Sequence, residues 1–439
     1  MRTIIILLLS GSFLLAATGA APAQATPAGL TIPAAAQRAA DPAAATRAWL
    51  ASVPADKREK SDAYFEGGYW LILWDFLLGA VISIFLLSSG LSARLRDFAE
   101  RTTRVKVFQV VLYAIPYIVI VAVLSFPLGV YSGYFREHAY GLATQTFGPW
   151  FREQLIGLAV TIITSTILLV VLYAVFRRAR RTWWLWGTGV GVVFLVLGML
   201  LAPIFIEPLF NTYKPLTDPK ISGPILAMAA ANEIPVHQVF EVDASRQSNR
   251  VSANVAGIFG TARIALNDNL LKQCTLPEIR AVMAHEMGHY VLNHAIKLVL
   301  YFSVFLLIGF VLVSAFFDRC LRRWGERWQV RGIADPAGLP LLALIFSTYF
   351  FLLTPLMNTA VRVTEREADA FGINTAREAD GEAKVALKLG AYRKLNPGPV
   401  EEFIFFDHPS GRARIRMAMD WKAANLPAGD AGTGAPASR

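Results

Sequence analysis

Charged residues are scarce in this chain. Asp, Glu, Lys and Arg make up 17% of its 439 residues, where an ordinary soluble domain carries about a quarter. Disordered chains and coiled coils need more charge still, so all three classes are excluded. Cysteine is nearly absent, and Cys274 and Cys320 are too few for a disulfide scaffold. Histidine is equally sparse at six residues, which makes any cluster of them informative. No internal repeat with a period of about 20 to 50 residues is visible. What is abundant is apolar: 55% of residues are hydrophobic and the mean hydropathy is +0.45. This length and composition provide for several membrane spans and a compact extramembrane part. The net charge of +10 is concentrated in short loops between apolar runs, so it reports membrane orientation and not nucleic-acid binding.

Met1-Arg2, the apolar run from Ile4 to Ala17 and the small-residue site Ala23-Gln24-Ala25 predict a secretory signal peptide over residues 1–25; an uncleaved signal anchor is the alternative. Either choice leaves the next segment on the outer face. Residues 26–68 form an N-terminal leader, rich in Ala and Pro up to residue 56 and expected there to be poorly ordered, and the tail from Ala423 to Arg439 has similar character. Six stretches have the roughly 20 apolar residues a bilayer requires: 69–92, 107–131, 155–176 and 182–206, then 297–317 and 338–360. Asp75 in the first either pairs near the interface or lines a wet cavity. Arg94, Arg96, Arg101, Arg104 and Lys106 follow span one; Arg177, Arg178, Arg180 and Arg181 follow span three; Arg319, Arg322, Arg323, Arg327 and Arg331 follow span five. These loops are predicted to be cytoplasmic, since the loop between spans two and three has only Arg136 and Arg152. Residues 207–294 and 361–439 then share the non-cytoplasmic side, and Cys274 and Cys320 lie on opposite sides of the membrane.

Within the first of these regions, Pro219 to Ala231 reads as an amphipathic helix, Val239 to Val242 and Arg263 to Leu266 as short strands, and Val251 to Phe259 as an edge strand interrupted by Gly257 and Gly260. Three of the histidines then fall together in His285-Glu286-Met287-Gly288-His289 and the nearby His294. On a helix, the two histidines of H-E-x-x-H project from one face and can bind one Zn²⁺, with Glu286 beside them to take a proton from the metal's water. Thr275-Leu276-Pro277-Glu278 supplies the start of that helix, with an N-cap, a first-turn proline and a capping-box glutamate, and no breaker appears before span five. On an unbroken helix His294 is turned about 140° from His289 and 180° from His285, which suits a supporting residue and not a ligand. His138 and His237 have no companion at ligand spacing.

A catalytic zinc needs a third protein ligand. Spans five and six form an antiparallel hairpin, so the residues just after span six emerge beside the H-E-x-x-H helix. If span six continues as helix, Glu365 and Asp369 share a face and Glu367 points elsewhere. Glu365 then completes a His₂Glu set, and Asp369 can orient a ligand histidine.

These residues carry a resemblance. The chain is similar to the integral-membrane zinc endopeptidases that include the CAAX prenyl proteases and the HtpX-type quality-control proteases. The resemblance rests on His285 to His289 with Asn293-His294, on R-x-x-E-x-x-x-D from Arg362 to Asp369, and on His408-Pro409-Ser410 leading to Arg414-Ile415. It covers residues 58 to 421 and is nearer the prenyl-protease branch. It extends to Asp243-Ala244-Ser245 and to Arg263-Ile264-Ala265-Leu266-Asn267-Asp268. The resemblance implies one Zn²⁺ per chain on His285, His289 and Glu365, Glu286 as general base, and an edge strand that binds extended substrate by strand addition. It also implies that His408 and Arg414 stand near the substrate and the developing oxyanion; a packed C-terminal motif is the alternative for both. Where the family has Asn-Ala in the edge strand, this chain has Ser252-Ala253, with Asn254 displaced by two.

The expectation is a mainly α, polytopic helical membrane protein with a small zincin-like α+β catalytic region. Its partners are a protein or peptide substrate and the lipid bilayer, with no nucleic acid. It acts as a zinc endopeptidase in protein maturation or membrane-protein quality control, in a bacterial-type inner membrane with its site on the non-cytoplasmic side. A site on that side meets cytosolic prenylated proteins only if its chamber spans the membrane, so the CAAX substrate is not carried over. Two alternatives are weighed. Cleavage of transmembrane segments inside the bilayer requires ligands deep within spans, and both motifs lie at span ends. A catalytically silent scaffold or transport protein has no need for Glu286.

Overall fold

The computed structural model of the protein describes residues 30–256 and 262–426. The signal peptide, Gly257, Gly260 and the tail beyond residue 426 lie outside the described residues. In chain order the helices before the sheet are α1 Ala34–Arg38, α2 Pro42–Ala51, α3 Ala55–Ser88, α4 Leu91–Thr102, α5 Lys106–Val130, α6 Arg136–Ala139, α7 Phe147–Arg178 and α8 Trp183–Leu201. A compact region follows with β1 Tyr213–Pro215, α9 Pro219–Ala231, β2 Val239–Val242, β3 Ala253–Ala256, β4 Arg263–Asn267, α10 Asp268–Gln273 and α11 Leu276–Val291. Last come α12 His294–Trp328, α13 Leu339–Ala376, α14 Ala379–Leu389, α15 Pro399–Phe405 and α16 Gly411–Asn425.

Six helices among the described residues are long and apolar enough to cross a membrane. They are α3, α5, α7, α8, α12 and α13, and they match the six apolar runs. The helices outrun those runs because polar turns continue them past the apolar stretch. α13 is the consequential case, since it carries Glu365 and Asp369 beyond the apolar run on one unbroken helix. The bundle core is built from Leu86, Tyr113, Tyr173, Phe310, Phe317 and Phe346 among others. Asp75 is half-buried on α3 and makes no hydrogen bond or ion pair among the described residues.

Two expectations are corrected here. The segment after span one is not a bare loop: α4 is a helix whose Arg96 is buried and paired with Asp335 at 2.7 Å. The leader is not poorly ordered from residue 34 onward. Asp41 caps α2, accepting from the Ala43 and Ala44 amides, and the Ala-rich composition that reads as low complexity is also strongly helix-forming. Trp49 of α2 is fully buried against α14 and α16 with Ala383, Leu387, Ile415 and Met419. Lys422 Nζ fixes the other end by donating to Ala36 O at 2.8 Å.

The sheet has the order β1-β2-β4-β3. β1 and β2 are antiparallel, β2 and β4 parallel, and β3 runs antiparallel to β4 with Ala253 opposite Leu266 and Val255 opposite Ile264. β3 is therefore an edge strand, as the sequence predicts. One face of the sheet buries Val239, Ile264 and Leu266 with Ile225 of α9 and Met283 and Met287 of α11, which fixes the H-E-x-x-H helix directly under the edge.

Candidate metal centre

α11 begins where the sequence places it. Thr275 and Glu278 form a reciprocal capping box, and Lys388 holds Glu278 at 2.9 Å, so the helix is phased from its first turn. His285 and His289 then project from one face, with their Nε2 atoms 3.1 Å apart.

α13 crosses α11 at very short range because small residues meet there. A Cβ on Gly372 would lie 3.0 Å from His285 N and 3.1 Å from its Cα, and one on Gly288 would lie 3.2 Å from Ala368 Cα. This contact delivers the Glu365 carboxylate to the histidines. Glu365 Oε2 is 3.3 Å from His285 Nε2, and Oε1 is 3.6 Å from His289 Nε2. One donor atom from each of His285, His289 and Glu365 lies within 4.8 Å of the other two. Two imidazoles and a carboxylate at this spacing fit Zn²⁺ with an open fourth position.

The surrounding groups fix the tautomers that such an ion requires. His285 Nδ1 is 2.8 Å from Asp369 Oδ1, so its proton sits on Nδ1 and Nε2 is free to ligate. His289 Nδ1 faces His294 Nδ1 at 2.9 Å, and His294 Nε2 faces Glu367 Oε2 at 3.0 Å, where Lys297 also binds. The chain His289 Nδ1–H to His294 Nδ1, then His294 Nε2–H to Glu367, leaves His289 Nε2 free as well. The continuous helix expected through His294 is corrected: α11 ends at Val291, and Asn293 adopts a left-handed conformation at φ 55°. Asn tolerates that region better than most residues, and the kink brings His294 against His289 where a straight helix would turn it away. Glu367 is correspondingly part of this support.

Glu286 is half-buried between the two histidines and makes no hydrogen bond or ion pair among the described residues. Burial raises its carboxyl pKa above the ordinary range, against the opposing pull of His285 and His289. His408 enters from the far side, with Nε2 3.3 Å from Glu365 Oε2 and Nδ1 2.9 Å from Asp407. Arg414 is buried behind His285. It donates from Nη2 to Asp369 at 2.5 Å and pairs through Nε with Glu382 at 3.3 Å. Burial disfavours its charge, but Asp369, Glu382 and Glu365 more than compensate and raise its pKa. On the edge strand, Ala253 packs toward the sheet core with Ser252 just before it. Asn254 keeps a buried amide oxygen without a partner among the described residues. His138 is occupied by the Tyr134 and Gln145 carbonyls and His237 is exposed.

Several contributors escape the sequence reading. Glu382 and Asp407 stand at no recognisable spacing. Asn358 donates to Ile404 O at 2.7 Å, and Arg362 donates to Glu402 O at 2.9 Å and to Phe406 O, tying the loop that carries His408 to α13. Asn358 did carry a signal, as an amide inside an apolar span.

The chain is similar to known proteins along most of its length. Residues 215–422 match the profile of peptidase family M48, and residues 38–212 match one described as the CAAX prenyl protease N-terminal, five membrane helices. The chain is 30% identical to the uncharacterized metalloprotease YhfN of Bacillus subtilis, over 78% of this chain and 82% of that one. It is 26% identical to CAAX prenyl protease 1 of Saccharomyces cerevisiae, over 68% and 69% respectively. The crystal structure of S. mikatae Ste24p superposes with a TM-score of 0.70 at 21% identity, covering 84% of this chain and 89% of that one, a likeness of fold.

Proposed function

The chain belongs to peptidase family M48, and on that footing we propose that it is a multi-pass membrane endopeptidase holding one Zn²⁺ on His285, His289 and Glu365. The observation that carries this reading is the meeting of those three donor sets from two helices within 4.8 Å, with Glu286 beside them and unpaired among the described residues. A half-buried carboxylate without a hydrogen-bond partner costs stability, so it suits a base better than a silent scaffold.

Bound Zn²⁺ supplies Lewis acidity toward water and the scissile carbonyl. Glu286 accepts a proton from the attacking water at a carboxylate oxygen and returns it to the leaving amine. Its burial-raised pKa brings it nearer the range where both transfers are efficient. His408, oriented by Asp407, donates toward the oxygen that gains negative charge. Asp369 keeps His285 in its ligating tautomer. Arg414, expected beside the oxyanion, is better suited to holding Asp369, because its guanidinium is buried behind His285, hydrogen-bonded to Asp369 and ion-paired with Glu382.

The substrate is an extended peptide that adds to the free edge of β3 along Ser252, Ala253 and Asn254. The Asn254 amide oxygen is buried and has no partner among the described residues, so substrate addition here rests on the β3 backbone. The relatives' name refers to CAAX prenyl substrates. Here the basic residues that follow spans one, three and five support a site on the non-cytoplasmic face, and in a bacterial-type inner membrane its substrates would be exported or membrane proteins, cleaved for maturation or quality control.

The test is cleavage of casein and model peptides by detergent-purified protein beside its Glu286→Gln variant, with zinc measured in both. The expected result is cleavage by the wild type, and a variant that keeps zinc and loses activity. Zinc in both and cleavage by neither across a broad peptide set would overturn the reading.

A further inference from the structure

Behind the metal ligands lies a row of charges that the proposed reaction does not use directly. His285, Asp369, Arg414 and Glu382 come from four helices, α11, α13, α16 and α14, and all are more than nine-tenths buried. Contacts run in sequence: His285 Nδ1 to Asp369 Oδ1 at 2.8 Å, Asp369 Oδ1 to Arg414 Nη2 at 2.5 Å, and Arg414 Nε to Glu382 Oε1 at 3.3 Å.

The middle of this row poses an electrostatic problem. Asp369 supports a zinc ligand by presenting negative charge to the imidazole N–H, yet the same oxygen accepts from a buried guanidinium. Arg414 Nη2 also stands 3.4 Å from His285 Nδ1, close enough for the cation to oppose a dipositive metal beyond the ring. Asp369 and Arg414 alone sum to zero, and the support that Asp369 gives is largely cancelled. A second buried carboxylate beyond Arg414 restores a net charge of −1 to the group. At side chains this buried, charges at these spacings interact far more strongly than in water. A buried carboxylate that faces a guanidinium without good hydrogen-bond geometry, as Glu382 does, is weak evidence for a stabilising role.

We propose that Glu382 is a positioning residue of the metal centre, neutralising Arg414 so that Asp369 presents its charge to His285. The inference rests on the assignment of His285 as a zinc ligand in the proposed function. Glu382 touches neither metal nor substrate, and it acts through two intervening side chains.

Zinc dissociation constants, measured by chelator competition on the purified full chain, test the idea. The Co²⁺-substituted protein adds an absorption spectrum that reports ligand-field changes independently of turnover. Glu382→Gln preserves volume while removing the charge, and its zinc affinity should fall about tenfold, with a shifted Co²⁺ spectrum. The double variant Glu382→Gln with Arg414→Met removes the guanidinium together with its counter-charge. It leaves Asp369 as the sole charge, so zinc affinity should recover to within about threefold of wild type, non-additively with the single change. A packing role predicts the opposite, since the double variant disturbs more of the core. The proposal is overturned if Glu382→Gln binds zinc within about twofold of wild type, or if the double variant binds no better than the single. Failure of the wild type to cleave peptides would sink the reading of function while leaving this zinc comparison to decide the role of Glu382.

Discussion

Gly372→Ala isolates the contact that brings Glu365, the proposed third ligand, to His285 and His289. The added methyl would lie 3.0 Å from His285 N and 3.1 Å from its Cα, a few tenths of an ångström inside ordinary van der Waals distance. Both obstructing atoms are backbone in the middle of a capped helix, so rotamer change cannot relieve the contact, and α11 and α13 must separate. Metal–ligand distances tolerate about ±0.2 Å, so the separation is felt at the ion. Overpacking of this kind costs about 1–3 kcal/mol. If that cost falls on the closed, ligating arrangement, zinc affinity drops roughly five- to hundredfold at 1.4 kcal/mol per decade. The assay is chelator competition for zinc, with peptide cleavage measured at saturating metal. Gly68→Ala serves as the control, since a Cβ there meets nothing within 4 Å. Zinc affinity and cleavage at wild-type level in Gly372→Ala would refute the claim that this crossing sets the position of Glu365.

Two further predictions follow from burial. Trp49→Ala empties a fully buried site between the N-terminal helices and α16 and should destabilise that region by about 3–5 kcal/mol; thermal unfolding and limited proteolysis should both show it, and wild-type resistance would mean that the N-terminal helices do not support the catalytic region. The Cys274 thiol is pushed up by burial to about 11 from an ordinary 9, and because the thiolate is the reactive form, alkylation of the folded protein should be about a hundredfold slower near pH 8 than in denaturant and should rise as the pH approaches 11; equal rates folded and unfolded would contradict the burial.

The sequence was legible wherever one helix or one short spacing held the information. Six apolar runs became six long helices, Pro219–Ala231 formed the expected helix, and the capping box at Thr275 set the phase of the metal helix. Glu365 was reachable because the hairpin of α12 and α13 is a consequence of membrane crossing, so two distant motifs could be joined without knowing the packing. Glu382 was not legible, because its role exists only once α14 is laid against α16 and Arg414 lies between two carboxylates. Asn293 shows a subtler failure. The residue was in view, but whether Asn extends a helix or breaks it depends on what the break gains. Here the left-handed turn releases α12 to start at His294 and lets that imidazole accept from His289.

The Ala-rich leader presents the same ambiguity in the other direction. Composition alone gives residues 34–51 too little apolar surface to fold by themselves, and the helices form because the groove between α14 and α16 covers Trp49. That groove is assembled by the helices that carry Arg414 and Glu382. The N-terminal helices and the charges behind the proposed metal site therefore depend on the same packing, and a cut between α1 and α2 should weaken zinc binding in the chelator competition.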